Sequence, residues 1–239
     1  MNEPRLLSIQ VGLPKHLGTE GASDPMEGPW YTAAFKDPVE GPVWLGKTNL
    51  AGDGQANLQV HGGPDKAVLV YAAAHYPAWR SELKLRDFPF GSFAENCTVS
   101  ELTEEGVAVG DIFAVGDARV QVSSPRQPCW KNSRRWRIKD LSLRIQMSGR
   151  TGWYLRVIQE GNVEKGLPLR LLERPYPQWT IAYANEIMHR RTTDRELAAR
   201  LAACPALGAS WRETLSARAG GHETGNTRRR LYGALESPS

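Results

Sequence analysis

The sequence is poor in cysteine: 239 residues contain only three, Cys97, Cys129 and Cys204, widely spaced and odd in number. A disulfide framework is therefore not expected, and a zinc ribbon or a ferredoxin-type cluster module cannot be built without closely spaced thiolate pairs. Any flavin or iron–sulfur chemistry must come from another chain. No apolar run approaches the roughly 18 residues of a membrane span, and residues 1–15 lack the long apolar core of a secretory signal. A cytoplasmic protein with no membrane role is expected. A glycine–lysine–hydroxyl phosphate loop opening a helix is missing, and so is any repeat at solenoid periods.

What is present describes an ordinary globular chain. Hydrophobic residues make up 41% and charged residues 23%, and the length suits one large domain or a domain with a smaller appendage. The net charge of +4 is modest, yet seven basic residues and no acid fall between Ala118 and Lys139. That concentration of positive charge calls for an anion. Nucleic acid is not the expected partner, because no reader motif accompanies the run.

The first two thirds read as short strands and tight turns, at residues 6–11, 43–45, 68–71, 112–115 and 119–122, each rich in β-branched or aromatic residues near Gly or Pro. The clearest hairpin is IFAV-GD-ARVQV, turned at Gly116 and Asp117. Helical spacing interrupts this pattern at residues 73–83 and 134–147, where Ile138, Leu141 and Ile145 recur and Gly149 supplies a stop. After a last strand at 167–172, ERPYPQW marks a boundary. Beyond it, Ile181, Ala184 and Met188 begin a series of short helices, with capping boxes TDRE and SWRE starting two of them at Thr193 and Ser210. Residues 237–239 are expected to fray. The fold class is thus mainly β with helices (α+β), residues 1–174 forming one domain and 175–239 a helical appendage.

Three segments carry side chains suited to chemistry. Cys129, in SSPRQPCWKN, follows a strand and has Arg126 and Lys131 within three residues; cations stabilise a thiolate, and a depressed pKa serves a nucleophile and a soft-metal ligand alike. A small hydrophobe at a strand end is the competing reading, and for Cys97 and Cys204 core filling is the better one. In VHGGPDKAV, Gly62 and Gly63 free backbone amides beside His61, Asp65 and Lys66 to approach an anion, although Gly-Gly-Pro is also common turn chemistry. In FGSFAENCTV, Glu95 and Asn96 either orient a polar ligand or merely close a turn. His75 and Tyr76 fall on a helix, where packing accounts for them. His16, His189 and His222 have no recognisable partner.

Taken together and in this order, HGGPDKAV, GSFAEN and GDIFAVGDARVQVSSPRQPCWK resemble the signature of MOSC domains, the family named for the C-terminal domain of molybdenum-cofactor sulfurases. The resemblance runs from about residue 39 to 172 and is greatest to the YiiM-like subgroup, whose three-helix appendage the TIAYANEIMH region resembles. It implies a β-barrel-like core that binds the molybdenum cofactor, with Cys129 as catalytic residue and protein ligand to the metal. His61, Gly62, Gly63, Asp65, Lys66, Asn96, Arg126 and Lys131 are then candidates to hold the pterin and its phosphate. It further implies an oxidoreductase that reduces N-hydroxylated small molecules such as hydroxylaminopurine-type base analogues, a detoxifying activity supplied with electrons by a separate flavin or iron–sulfur reductase. The alternative is a sulfur carrier or cofactor-delivery protein with a persulfide on Cys129. One departure is visible: Ala94 stands where the GSFAEN-type loop often has glycine, which reduces backbone freedom.

Overall fold

The computed structural model describes residues 3–222 and 225–233; the end expected to fray, residues 237–239, lies outside them. The strands are β1 (Leu6–Val11), β2 (Lys15–Leu17), β3 (Trp30–Thr32), β4 (Asp37–Val39), β5 (Val43–Leu45), β6 (Val68–Ala72), β7 (Cys97–Val99), β8 (Ile112–Val115), β9 (Ala118–Pro125), β10 (Trp153–Gln159), β11 (Gly161–Val163) and β12 (Arg170–Glu173). Eight of them form one curled sheet in the order β12-β8-β9-β10-β6-β7-β1-β4, with β11-β5 and β2-β3 as side ribbons. Every pairing is antiparallel except β6 with β7. That exception follows from the long excursion between them, which crosses back through α2 (Tyr76–Leu83) as parallel pairing demands.

The hairpin read from IFAV-GD-ARVQV is β8 and β9, with Val115 opposite Ala118. Val120 and Val122 bury completely while Arg119 stays exposed, the alternation of a strand with one wet face. β9 continues three residues past Val122 and carries a bulge at Ser123, where Tyr154 pairs with Ser124 but Leu155 with Val122. It ends at Pro125, which has no N–H to extend the ladder. The strand expected at 167–172 forms only as Arg170–Glu173, because Pro168 cannot donate and makes just an isolated bridge to Arg5.

Residues 134–147 are not one helix. They fall into α3 (Trp130–Trp136) and α4 (Leu141–Ser148), separated by Arg137 at φ 54, a left-handed residue whose N–H closes back on Arg134. Ile138, Leu141 and Ile145 keep their apolar spacing because all three pack into an aromatic cluster with Tyr71, Tyr76, Trp79, Phe88 and Phe93. Gly149 ends α4 at φ 76 as expected.

The appendage comprises α5 (Ile181–His189), α6 (Arg195–Ala202) and α7 (Ala209–Ala219), and a short α8 (Thr227–Tyr232) follows. Two caps differ from the sequence reading. Asp194, not Thr193, accepts from Leu197 N at 2.9 Å, a carboxylate doing what the hydroxyl one place earlier would have done. Ser210 caps nothing; the first free amide of α7, Ala209 N, donates 2.8 Å to Asp65 of the barrel, so a tertiary contact replaces the local one. Barrel and helices share one core: Val107, Val122 and Leu155 belong to the same buried cluster as Ile181, Ile187, Leu201, Trp211 and Leu215. Among the described residues, no helix is long and apolar enough to cross a membrane.

Candidate functional site

Cys129 sits where β9 has just ended. Pro125 and Pro128 bracket a segment without regular structure, and Cys129 itself is extended (φ −125, ψ 161) as the residue preceding α3. Its carbonyl is fixed by Ser142 Oγ at 2.6 Å and by Asn132, and the half-buried residue lines a cleft. The cleft has an empty volume of about 640 Å³, open to solvent. Burial opposes ionisation of the thiol, but hydrogen bonding to His61, the positive charges of His61 and Arg126, and the Lys131 amide outweigh it and bring its pKa down to about 6. Cys97 is the opposite case: burial and the charges of Glu95 and Asp53 push its thiol up to about 12.

His61 ends a one-turn helix α1 (Leu58–His61) begun by Asn57, whose side chain accepts from Val60 N. Gly63 then turns the chain at φ 91, a conformation that disfavours any side chain, before Pro64–Lys66 form a single 3-10 turn. Lys66 reaches back to the Val60 carbonyl at 2.6 Å. The loop is held from outside by Asp65, which binds Arg156 at 2.8 Å and the α7 amide described above, while Ser123 Oγ in the β9 bulge donates to the Asp65 carbonyl at 2.6 Å.

The opposite wall comes from the GSFAEN turn. Glu95 is fully buried and accepts from Gly91 N at 2.7 Å, Phe93 N at 3.0 Å and Thr98 Oγ1 at 3.0 Å, as well as from the Tyr76 hydroxyl. This carboxylate shapes the turn rather than facing the cleft. Asn96, just before β7, ties two strands and a loop together: its Oδ1 accepts from Leu69 N of β6 at 3.1 Å, and its Nδ2 donates to Gln10 O of β1 at 3.3 Å and to Asp53 of the loop after β5 at 2.8 Å. Asp53 also pairs with Lys36, and both are nearly inaccessible. Burial lowers the Lys36 pKa against the raising effect of Asp53.

Of the residues singled out in the sequence, Cys129, His61, Lys66, Asn96, Arg126 and Lys131 line this one cleft. Gly62, Gly63 and Asp65 do not; they shape and anchor the loop behind it. Lys36, Asp53, Asn132 and Tyr154 also line it, and sequence reasoning missed them because nothing local marks them. Arg126 is only 4% exposed, donates to Phe93 O at 3.2 Å, and leaves Nη1 buried with no partner among the described residues. The Asn132 Oδ1 is likewise unpartnered. A buried guanidinium nitrogen left without an acceptor is costly and fits an anionic group that completes it. Among the described residues, no three His, Cys, Asp or Glu side chains converge to hold a metal ion. A single thiolate among cations therefore suits a metal that arrives with most of its own ligands, together with an acidic tail: the donor set fits a pterin-borne metal.

The profile of the MOSC domain matches residues 57–170, and that of the YiiM-like 3-alpha helix domain matches residues 179–218. The chain is 41% identical to the uncharacterized protein YflK of Bacillus subtilis over 87% of its length and 90% of that protein's. It is 35% identical to a protein of Gibberella moniliformis named Reductase, covering 84% of this chain but only 35% of that longer one. Among solved structures, YiiM from Geobacillus stearothermophilus superposes with a TM-score of 0.75 at 38% identity, over 90% of this chain and 99% of the other. With the fold, the loop order and both profiles in agreement, the chain belongs to the MOSC family, in its YiiM-like branch with a C-terminal helical domain.

Proposed function

We propose that this chain binds a molybdenum cofactor through Cys129 and reduces N-hydroxylated small molecules to the corresponding amines. The observation that carries the reading is a thiol hydrogen-bonded to His61 in the cleft that Arg126 also lines, where Arg126 keeps a buried nitrogen that has no partner among the described residues. When bound, the cofactor supplies a two-electron centre able to accept an oxygen atom. The overall reaction, R–NHOH + 2e⁻ + 2H⁺ → R–NH₂ + H₂O, requires two protons and two electrons.

The residues around the thiol divide the remaining work. Cys129, whose thiol His61 and Arg126 shift toward the thiolate, is readied to become a ligand. Arg126 offers its free Nη1 to a phosphate oxygen, and Lys131 and Lys66 add point charges on the same cleft. Asn96 and Asp53 keep Lys36 in place. His61 adjoins the thiol and is placed to pass a proton from its ring N–H toward the nitrogen that loses oxygen. The Reductase relative supports oxidoreduction as the class of chemistry; the three scattered cysteines of this chain leave a flavin or iron–sulfur donor to a separate protein.

The test is turnover of an N-hydroxylaminopurine by cofactor-loaded protein. Amine should form only when a reducing system is added, and Cys129→Ser should abolish it. Amine formed without a reductant, or at the full rate by Cys129→Ser, would contradict the proposal.

A further inference from the structure

Glu104, in the loop after β7, does not line the cleft, yet its carboxylate is almost wholly buried, 2% exposed. A carboxylate in that setting is costly unless both oxygens are engaged, and here both are. Oε2 lies 2.6 Å from His75 Nε2, at the end of a 3-10 turn (Ala73–His75) between β6 and α2. Oε1 accepts from Gly152 N at 2.8 Å.

Gly152 is the link to the cleft. It stands one residue before β10, and its carbonyl accepts from Arg126 N at 3.0 Å, next to the pair that Trp153 makes with Pro125. Its φ is 73, and a Cβ there would lie 2.3 Å from Val70 O, so the chain passes β6 with no side chain to wedge it in place. Hydrogen bonds hold it instead. Tyr71 donates to the Arg150 carbonyl at 2.9 Å, Asn185 to Thr151 Oγ1 at 2.8 Å, and Glu104 takes the Gly152 amide itself. From the backbone so placed, the Arg126 side chain runs to Phe93 O and into the cleft. The Glu104 main chain serves the appendage separately, its carbonyl accepting from Ala182 N in the first turn of α5 at 2.9 Å.

We propose that Glu104 is a positioning residue for the cleft: through Gly152 it fixes the backbone of Arg126 and so aims that guanidinium beside Cys129, with His75 as the brace that keeps the carboxylate in line. Glu104 touches neither the thiol nor a ligand. The inference rests on the function proposed above only in taking this cleft as the cofactor's site.

The test is the pH profile of iodoacetamide alkylation, read on the Cys129 peptide of full-length, cofactor-free protein, with melting temperatures to verify folding. Arg126 helps to stabilise the thiolate, so Arg126→Gln should raise the inflection by about one pH unit. Glu104→Asp keeps the charge but draws the carboxylate back by one methylene; it should raise the inflection by about half a unit. Glu104→Gln keeps the reach and both hydrogen bonds without the charge, and should leave the inflection in place. Glu104→Asp combined with Arg126→Gln should add nothing to Arg126→Gln alone, as expected when one residue acts through the other. In cofactor-loaded protein, molybdenum content should fall in Glu104→Asp and hold in Glu104→Gln. An unmoved inflection in Glu104→Asp, a rise in Glu104→Gln as large as in Glu104→Asp, or an additive double variant would overturn the assignment. A wild type that takes up no molybdenum while the profiles behave as stated would instead sink the functional reading and leave the positioning role standing.

Discussion

Cys129 differs from Cys97 in its surroundings and not in its chemistry. One thiol faces His61 and Arg126; the other is buried beside Glu95 and Asp53. In cofactor-free protein, iodoacetamide should modify Cys129 at a rate that is flat above about pH 6 and falls tenfold per unit below it, because only the thiolate reacts. His61→Gln should move that inflection upward, since it removes the largest thiolate-stabilising contact; an unmoved inflection would show that His61 has no hold on the thiol. Ala94 provides a second residue-scale test. Its φ of 63 lies in the left-handed region, where a side chain costs about 1 kcal/mol. Ala94→Gly should stabilise the fold by about that amount, seen as a melting temperature higher by about 2–4 °C, whereas a drop would mean that the turn tolerates alanine without strain. The sequence exposed Cys129, Arg126 and Lys131 because they are neighbours along the chain. It hid Lys36, Asp53 and Tyr154 because each reaches the site only through long-range folding.

At the scale of elements, the His61 loop is held by partners from three directions: Arg156 of β10, the bulge at Ser123, and the first amide of α7. Asp65 joins the first and last of these. Asp65→Ala should destabilise the protein by about 1–2 kcal/mol, since it removes a partly exposed ion pair and a helix cap together, and urea denaturation measures it; an unchanged midpoint would show that the loop is held without it. The same contact sets the start of α7 at Ala209, ahead of Ser210 where the SWRE pattern places it. A capping box is a local signal, and the SWRE pattern was overruled by a carboxylate 144 residues away in sequence. The β8–β9 hairpin was legible because its turn and alternation are both local. The break at Arg137 was not, since no glycine or proline announces it.

For the molecule as a whole, one buried cluster runs from the strands into α5, α6 and α7, so the helical appendage is not an independent unit. Thermal unfolding should be a single transition with equal calorimetric and van't Hoff enthalpies; two resolved transitions would show that the shared core does not couple them. The central claim is that Cys129 anchors a pterin-borne metal, and molybdenum content per chain, measured on protein from a cofactor-producing host, tests it most directly. The account predicts about one molybdenum per chain in the wild type and almost none in Cys129→Ser. Molybdenum retained by Cys129→Ser, or a wild type free of molybdenum and carrying a persulfide on Cys129, would contradict it.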